Sequence, residues 1–544
     1  MKFTQSKKFR HGSVSVALTV VIIAAVILVN ALFTALSSRF NWYVDMTAEQ
    51  LYTLSDEAQA LLDTVPTDRE VTIIFCSSKN KLEGDPSLRY PLYTVTEIAK
   101  RYPNIKVEYK DWLYYRQELE AYYEPTSGQT LNGYSIIVTS TFEAVDPEDG
   151  ILKPRKQSRV YALNALYTYD STGSAIIGYN GEQRLISGIM AVTQVETPVA
   201  CFTTDHGETP STALLQLLYE SGYELRELSL SQTHQTIIDP ETQQEKSIPT
   251  EEYMKDCRLL LIFDPQKDFY AADGADQLKV LEKQMQKAEC AVLFFFDYNT
   301  PELPYLEAFM KEWGVEIARH PDPMTATNVN YLIKDPSKSL DAEGLSMLTV
   351  PAEAGLGYSI TKQLSSADNT VFQYAGAIRM PENTNWILNH SEPDEEGKVY
   401  TYGAYYANGA TRALYDVFNT TNKAYAEANT KKLDAQAPFK LMTVTREILS
   451  DGGSSYLLAC SSTEFASAAS LGSNYGNRTV LIRAFHAMGG AQVSVALDCK
   501  YFTDTEIESI TAAAANRYTV VLVAVPTIAI FVTGVVIMVR RKYA

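Results

Sequence analysis

The 544-residue sequence has no G-x-x-x-x-G-K-[ST] loop, no H-E-x-x-H pair, no G-x-S-x-G turn and no glycine-rich dinucleotide loop. It therefore lacks the signatures of P-loop nucleotide hydrolysis, zinc peptidase and serine hydrolase chemistry. Six cysteines (Cys76, Cys201, Cys257, Cys290, Cys460 and Cys499) stand singly, without a C-x-x-C. That scatter indicates neither a disulfide framework nor a zinc site, and a free thiol in an apolar run behaves as a small hydrophobe. Positive charge is also short. The 47 Lys and Arg against 65 Asp and Glu leave a net charge of −18, which argues against a nucleic-acid partner. Neither an internal repeat nor a low-complexity tract is present.

The length calls for two or three domains, and two apolar spans set the context. Residues 14–36 run without a charge after Lys2, Lys7, Lys8 and Arg10, and residues 518–539 precede Arg540, Arg541 and Lys542. Each is long enough to cross a bilayer of roughly 30 Å as a helix. The flanking bases place the tails, 1–13 and 540–544, in the cytoplasm and everything between outside it. A cleavable signal peptide is the competing reading of the first span, because Ala35-Leu36-Ser37 resembles a cleavage site. The run exceeds a signal core in length, which favours an anchor. Pro526 is tolerated in a membrane helix. A buried core helix is the competing reading of the second span, disfavoured by its length and flanking charges. The acidic stretch between the spans is not drawn to anionic lipid.

Between the spans the expected fold class is α/β, in two extracytoplasmic domains. In the first, residues 40–196, a helix over 56–63 capped by Ser55 precedes a strand at 71–75. A helix near 88–102, strands at 105–109, 134–139 and 159–163, and a helix near 182–195 follow. This β-α-β, then β-β-α order predicts a thioredoxin-like domain. Cys76-Ser77-Ser78-Lys79 sits where such folds hold redox cysteines, but the second cysteine is missing, so dithiol chemistry is excluded. The aromatic group Trp112, Tyr114, Tyr115, Tyr122 and Tyr123 suggests sugar stacking or protein docking. With 35 tyrosines in the chain, packing is the plainer account.

The second domain, residues 197–515, is organised by its first unit. The apolar run 199–202 ends in Thr203-Thr204-Asp205-His206-Gly207-Glu208, and a helix is expected to open with Thr209 as N-cap and Pro210 at its first position. Gly222 then ends it. A polar insertion, 231–250, reads as a surface loop. Runs at 258–263 and 291–296 end in Asp264 and Asp297, alternate with helices at 275–288 and 303–313, and indicate a Rossmann-like parallel sheet covered on both faces. Residues 320–440 read as an α+β elaboration. The sheet resumes at 455–460, followed by Ser461-Ser462-Thr463-Glu464, a helix over 480–488 and a short helix at 503–506.

In open sheets, ligands gather at the carboxyl ends of strands. Asp205, His206, Glu208, Asp264, Asp297, Ser461, Ser462 and Glu464 would form such a rim. Carboxylates and an imidazole suit a divalent cation or a polar ligand such as a sugar better than a phosphate, since the acids oppose the helix N-terminal field. The plainer reading is that the acids cap the following helices and His206 bonds locally.

Taken in order, certain pieces carry a resemblance. These are the D-M-T-A-E-Q-L-Y-T-L-S stretch (residues 45–55), Gly181-Glu182-Gln183, the H-G-E loop at 206–208, S-S-T-E-F at 461–465, the Gly476-Asn477 turn and the basic tail. The chain resembles, end to end, the GldG-like auxiliary components of ABC transport systems. It departs from the family pattern at 461–465, where G-D-S-D-F is usual, and at Asp205, where Gly is usual. The resemblance implies a bacterial membrane-anchored protein working beside an ABC permease and a separate ABC ATPase. It also implies a second domain like the Rossmann-like domain of an intraflagellar-transport protein. The expected role is a non-enzymatic accessory subunit, without cofactor or resident metal. An extracytoplasmic solute- or sugar-binding protein is the alternative, and a surface hydrolase lacks an assembled nucleophile.

Overall fold

The computed structural model describes residues 51–500 except 86–87, 123–130, 146–151, 170–174, 195–196, 239–243, 273–274, 288, 323–327, 363, 365–368, 383, 393–398, 408–409, 434–435, 473–474, 490–496 and 498. It also describes positions 20, 21, 24, 25, 27–29, 31, 32, 501, 502, 532–534, 536, 537, 539 and 540. The spans 14–36 and 518–539 and the short helix at 503–506 thus lie wholly or largely outside the described residues. Among the described residues no helix is long and apolar enough to cross a membrane. Residues 501–544 form a separate unit, and the account below concerns the other.

Ser55 starts helix α1 (Asp56–Leu62): its Oγ accepts from the Ala58 amide at 3.2 Å, and Asp56 and Glu57 occupy the first turn, where the helix dipole favours acids. Strand β1 (Val71–Phe75), helix α2 (Arg89–Arg101), strand β2 (Ile105–Tyr109), helix α3 (Trp112–Leu119) and a long hairpin, β3 (Ser135–Val145) with β4 (Leu152–Ala162), follow. They form a mixed sheet in the order β2-β1-β3-β4, with β1 parallel to β2 and antiparallel to β3. β1 reads V-T-I-I-F and is buried at four of five positions, as an apolar run without alternation predicts for a central strand.

Helix α4 (Gly181–Thr193) lies on β3 and β4 and buries eleven of its 13 residues. Close approach depends on Gly188, where an added Cβ would come within 2.9 Å of the Tyr161 ring. Glu182 points inward, accepting from Ser55 Oγ at 2.8 Å and pairing with Lys500. The Gly181-Glu182-Gln183 stretch is thus a buried clasp joining α1, α4 and Lys500.

The second sheet begins with β5 (Val199–Thr203), helix α5 (Thr212–Glu220) and β6 (Glu224–Leu228). The polar insertion 231–250 is not a plain loop but an antiparallel ribbon, β7 (His234–Ile238) with β8 (Glu245–Pro249). Then come β9 (Cys257–Phe263), helix α6 (Gln277–Met285), β10 (Cys290–Phe295) and helix α7 (Pro304–Glu312). The chain goes on through β11 (Trp386–His390), β12 (Thr401–Ala407), β13 (Ala410–Asn419), β14 (Lys440–Ile448), β15 (Ser454–Cys460) and helix α8 (Asn477–Gly489).

The spatial order is β11-β12-β13-β14-β15-β10-β9-β5-β6. The last five strands are mutually parallel, and the first five alternate antiparallel. The expected all-parallel sheet is therefore a mixed one, and much of the 320–440 region is not a separate elaboration but its antiparallel wing. β10 reads C-A-V-L-F-F and is buried at every position, as a strand covered on both faces must be.

Candidate functional site

In the parallel half the chain enters at β5, steps to β6 on one side, then crosses to β9 on the other. The switch point lies between β5 and β9, where an open sheet leaves a crevice at its carboxyl end. The register aligns Phe202 with Leu261, Phe263 with Phe295, and Phe295 with Cys460. Asp205, His206, Asp264, Asp297 and Ser461 accordingly leave the sheet on one rim.

The crevice is closed by the chain itself. The His206 carbonyl accepts from the amides of Gln266 and Lys267 at 2.7 and 3.0 Å. Gly207 has φ +82° and an added Cβ would stand 3.1 Å from the Gln266 Cβ, so the turn needs glycine. The His206 residue is only 3% exposed. Its ring stacks on Phe269 at 3.8 Å between centroids, Nε2 lies 3.0 Å from Gln277 Oε1 and Nδ1 lies 3.3 Å from Glu208 Oε1. The other Glu208 oxygen accepts from the His206 amide at 2.6 Å. Burial pushes the Glu208 carboxyl up, but hydrogen bonds from His206 and Thr203 outweigh it and hold it below its ordinary value. Asp205 is spent on the neighbouring loop, accepting from Ser229 Oγ and the Ser231 amide at 2.8 Å each.

A second group collects at the ends of β9, β10 and β15. Thr300 Oγ1 accepts from the Asp297 amide at 2.9 Å and donates to Asp264 Oδ1 at 2.7 Å. Thr463 Oγ1 donates to the other end of Asp297 at 3.1 Å. Burial, aided by the Asp297 charge, raises the Asp264 carboxyl against the bond from Thr300. Asp264 also takes φ +49°, a left-handed conformation that Asp tolerates better than most residues. Ser462 Oγ donates to the Gln373 carbonyl at 2.6 Å. Ser461 binds through its backbone, its hydroxyl buried without a partner. Glu464 is exposed in a short 3-10 turn. The rim therefore divides into a His206 group and an Asp264–Asp297 group, with Ser461, Ser462 and Glu464 serving the turn. Among the described residues no three acids, histidines or cysteines meet as metal ligands.

The helix after the rim starts later than its sequence suggests. Ser211, not Thr209, is the N-cap of α5, its Oγ accepting from the Leu214 amide at 3.1 Å, and Pro210 precedes the helix. Cys76 is buried, and burial drives its thiol up to about 12, which removes it as a nucleophile. In the aromatic group, Trp112 packs on the Ile74–Val160 cluster while Tyr114 is 83% exposed on the same helix, and Tyr123 lies outside the described residues.

A third polar group escaped the sequence reading. Glu220, the last residue of α5, pairs with Arg184 of α4 and with Arg478 of α8, the latter at 2.5 Å. Burial pushes the Glu220 carboxyl up, and the two guanidinium charges overcome it and leave it depressed. Burial conversely lowers Arg184 to about 10. Nothing in the local sequence signals the group, because its members stand 36 and 258 positions apart.

No family model matches the chain, and no curated protein matches it. Among solved structures, the mmIFT52 N-terminal domain aligns with 55% of this chain and 100% of that chain, at 12% identity and a TM-score of 0.34. That likeness is too slight to carry an argument.

Proposed function

We propose that this chain is a membrane-anchored, non-enzymatic accessory subunit of an ABC transporter, working beside a separate permease and ATPase. The observation that carries the reading is the paired apolar spans, 14–36 and 518–539, each with its bases on the terminal side, enclosing a large acidic region. The GldG-like order of motifs supports it. So does the strand order β2-β1-β3-β4, with one parallel and two antiparallel pairings, which is that of a thioredoxin-like scaffold. The five parallel strands in the order 2-1-3-4-5 support a Rossmann-like second domain. On this reading the bulk of the chain is extracytoplasmic and both tails are cytoplasmic.

The groups around His206 already satisfy one another, so no observation favours solute binding at the strand-end rim. The test is a mild-detergent pull-down of the tagged full-length protein with its co-purifying chains identified by mass spectrometry. The expected result is recovery of a permease and an ATPase. Recovery of the protein alone in several detergents overturns the reading.

A further inference from the structure

The Arg184–Glu220–Arg478 group joins the two sheets: Arg184 comes from the helix on the four-stranded sheet, Glu220 and Arg478 from helices of the large one. One carboxylate serves two guanidinium groups. Glu220 also accepts from Gln216 Nε2 at 3.1 Å, so both of its oxygens are engaged. Nε of Arg184 and Nε of Arg478 are both buried without a hydrogen-bond partner. The Tyr161 hydroxyl, buried close by on β4, has none either. Arg159 adds further positive charge, its guanidinium 4.7 Å above the Tyr219 ring.

Two features set the group apart from a simple buried ion pair. First, both helix ends carry the disfavoured sign: Glu220 closes α5 at its negative end, and Arg478 sits in the first turn of α8 at the positive end. Second, donors outnumber acceptors where water is scarce, and an unpaired buried guanidinium N–H is costly. In a chain of net charge −18, a local excess of positive charge marks a place that attracts anions. The group meets solvent chiefly at Arg478, whose side chain is 21% exposed against 11% for Arg184 and 2% for Glu220.

We propose that Arg184 and Arg478 bind a small tetrahedral oxyanion of the phosphate class, free or as the terminal group of a larger molecule. Guanidinium forks match such oxygens in charge and geometry. Bound there, the anion accepts from guanidinium N–H groups on the exposed side of Arg478 and offsets the charge that Glu220 leaves unbalanced. Since the three helices come from both sheets, occupancy also fastens one sheet against the other. The site stands independently of the transporter reading.

The test is thermal unfolding of the purified full-length protein in inorganic phosphate, in sulfate and in chloride at matched ionic strength. Wild type should show a saturable rise in Tm of several degrees with phosphate or sulfate and not with chloride. In Arg478→Gln the apparent affinity should fall roughly tenfold or more, and Arg478→Lys, which keeps charge but not the fork, should restore it only in part. Glycerol phosphate separates the sources: a shift equal to that of phosphate assigns a terminal phosphoryl group, and no shift assigns the free ion. A linear, unsaturable rise that persists unchanged in Arg478→Gln is generic salt stabilisation and overturns the proposal, as does no rise in wild type.

Discussion

The His206 and Glu220 groups both bury ionisable side chains beside helices of the same sheet, yet they are finished to different degrees. Around His206 the groups pair within their own neighbourhood: the ring faces Gln277 and Glu208, the amide donates to Glu208, and the carbonyl accepts from the amides of the facing loop. The ring is further held by Phe269. Around Glu220 two guanidinium groups share one carboxylate and keep unpaired N–H groups. A buried polar network that closes on itself rigidifies a turn, while one left short of acceptors favours the arrival of another. The histidine motif that draws the eye in the sequence is thus the closed group, and the unremarked arginines form the open one.

The largest effect expected from breaking this contrast is at Glu220. Glu220→Gln removes the only carboxylate facing Arg184 and Arg478 among the described residues and should cost about 3–5 kcal/mol in denaturant unfolding. A loss under 1 kcal/mol would show that the pairing is not buried in solution. The pH dependence has a definite sign. The folded carboxyl is depressed, so its contribution is present above the ordinary Glu pKa of about 4.3 and is lost as pH falls through the lower folded value. Glu220→Gln should flatten that acid limb.

His206→Ala comes next. It deletes the ring stacked on Phe269 and removes one hydrogen bond each from Gln277, which keeps the Tyr270 amide at 3.1 Å, and from Glu208, an expected loss of about 2–3 kcal/mol. The oxyanion response should survive unchanged. If phosphate no longer raises the Tm of this variant, the two groups are coupled and the contrast drawn between them is wrong.

The smallest effect is expected at Ser461, whose buried hydroxyl has no partner. Ser461→Ala removes an unsatisfied group and should stay within about 1 kcal/mol of wild type, on the stabilising side if anywhere. A loss of 2 kcal/mol or more in the same unfolding assay would mean that the hydroxyl is engaged after all.

What the sequence revealed tracks how local the signal is. The runs V-T-I-I-F, C-A-V-L-F-F and S-S-Y-L-L-A-C announce buried strands because the apolar effect acts on consecutive residues. The hairpin β7–β8 is hard to read because the most deeply buried residue on its covered face is a glutamine, Gln235, beside the half-buried Ile237 and Ile248, so the apolar alternation is broken. The start of α5 was misplaced by two residues. Thr209-Pro210 is a sound start signal, but Ser211 Oγ also donates to the Ala466 carbonyl, and that distant contact favours the later cap. The strand-end rim was legible in placement and not in role, since whether His206 faces a crevice depends on Gln266 and Phe269, some 60 residues on. The arginine group was not legible at all, because charges on separate helices look like solvated faces until the fold brings them together.

The position of β15 has a consequence for how this chain is made. β10 pairs on one side with β9, available at once, and on the other with β15. β10 ends at residue 295 and β15 begins at residue 454. At about 5–20 residues per second, synthesis leaves the Cys290–Phe295 strand with one edge unfilled for roughly 10–30 s. An open edge of six apolar residues is a template for pairing with another nascent chain. The antiparallel wing made in the interval does not seal it, because among the described residues β14 reaches the parallel strands only through β15. Completion of the large sheet therefore waits on a single late strand, and until that strand arrives the growing chain depends on whatever shields exposed strand edges during its synthesis.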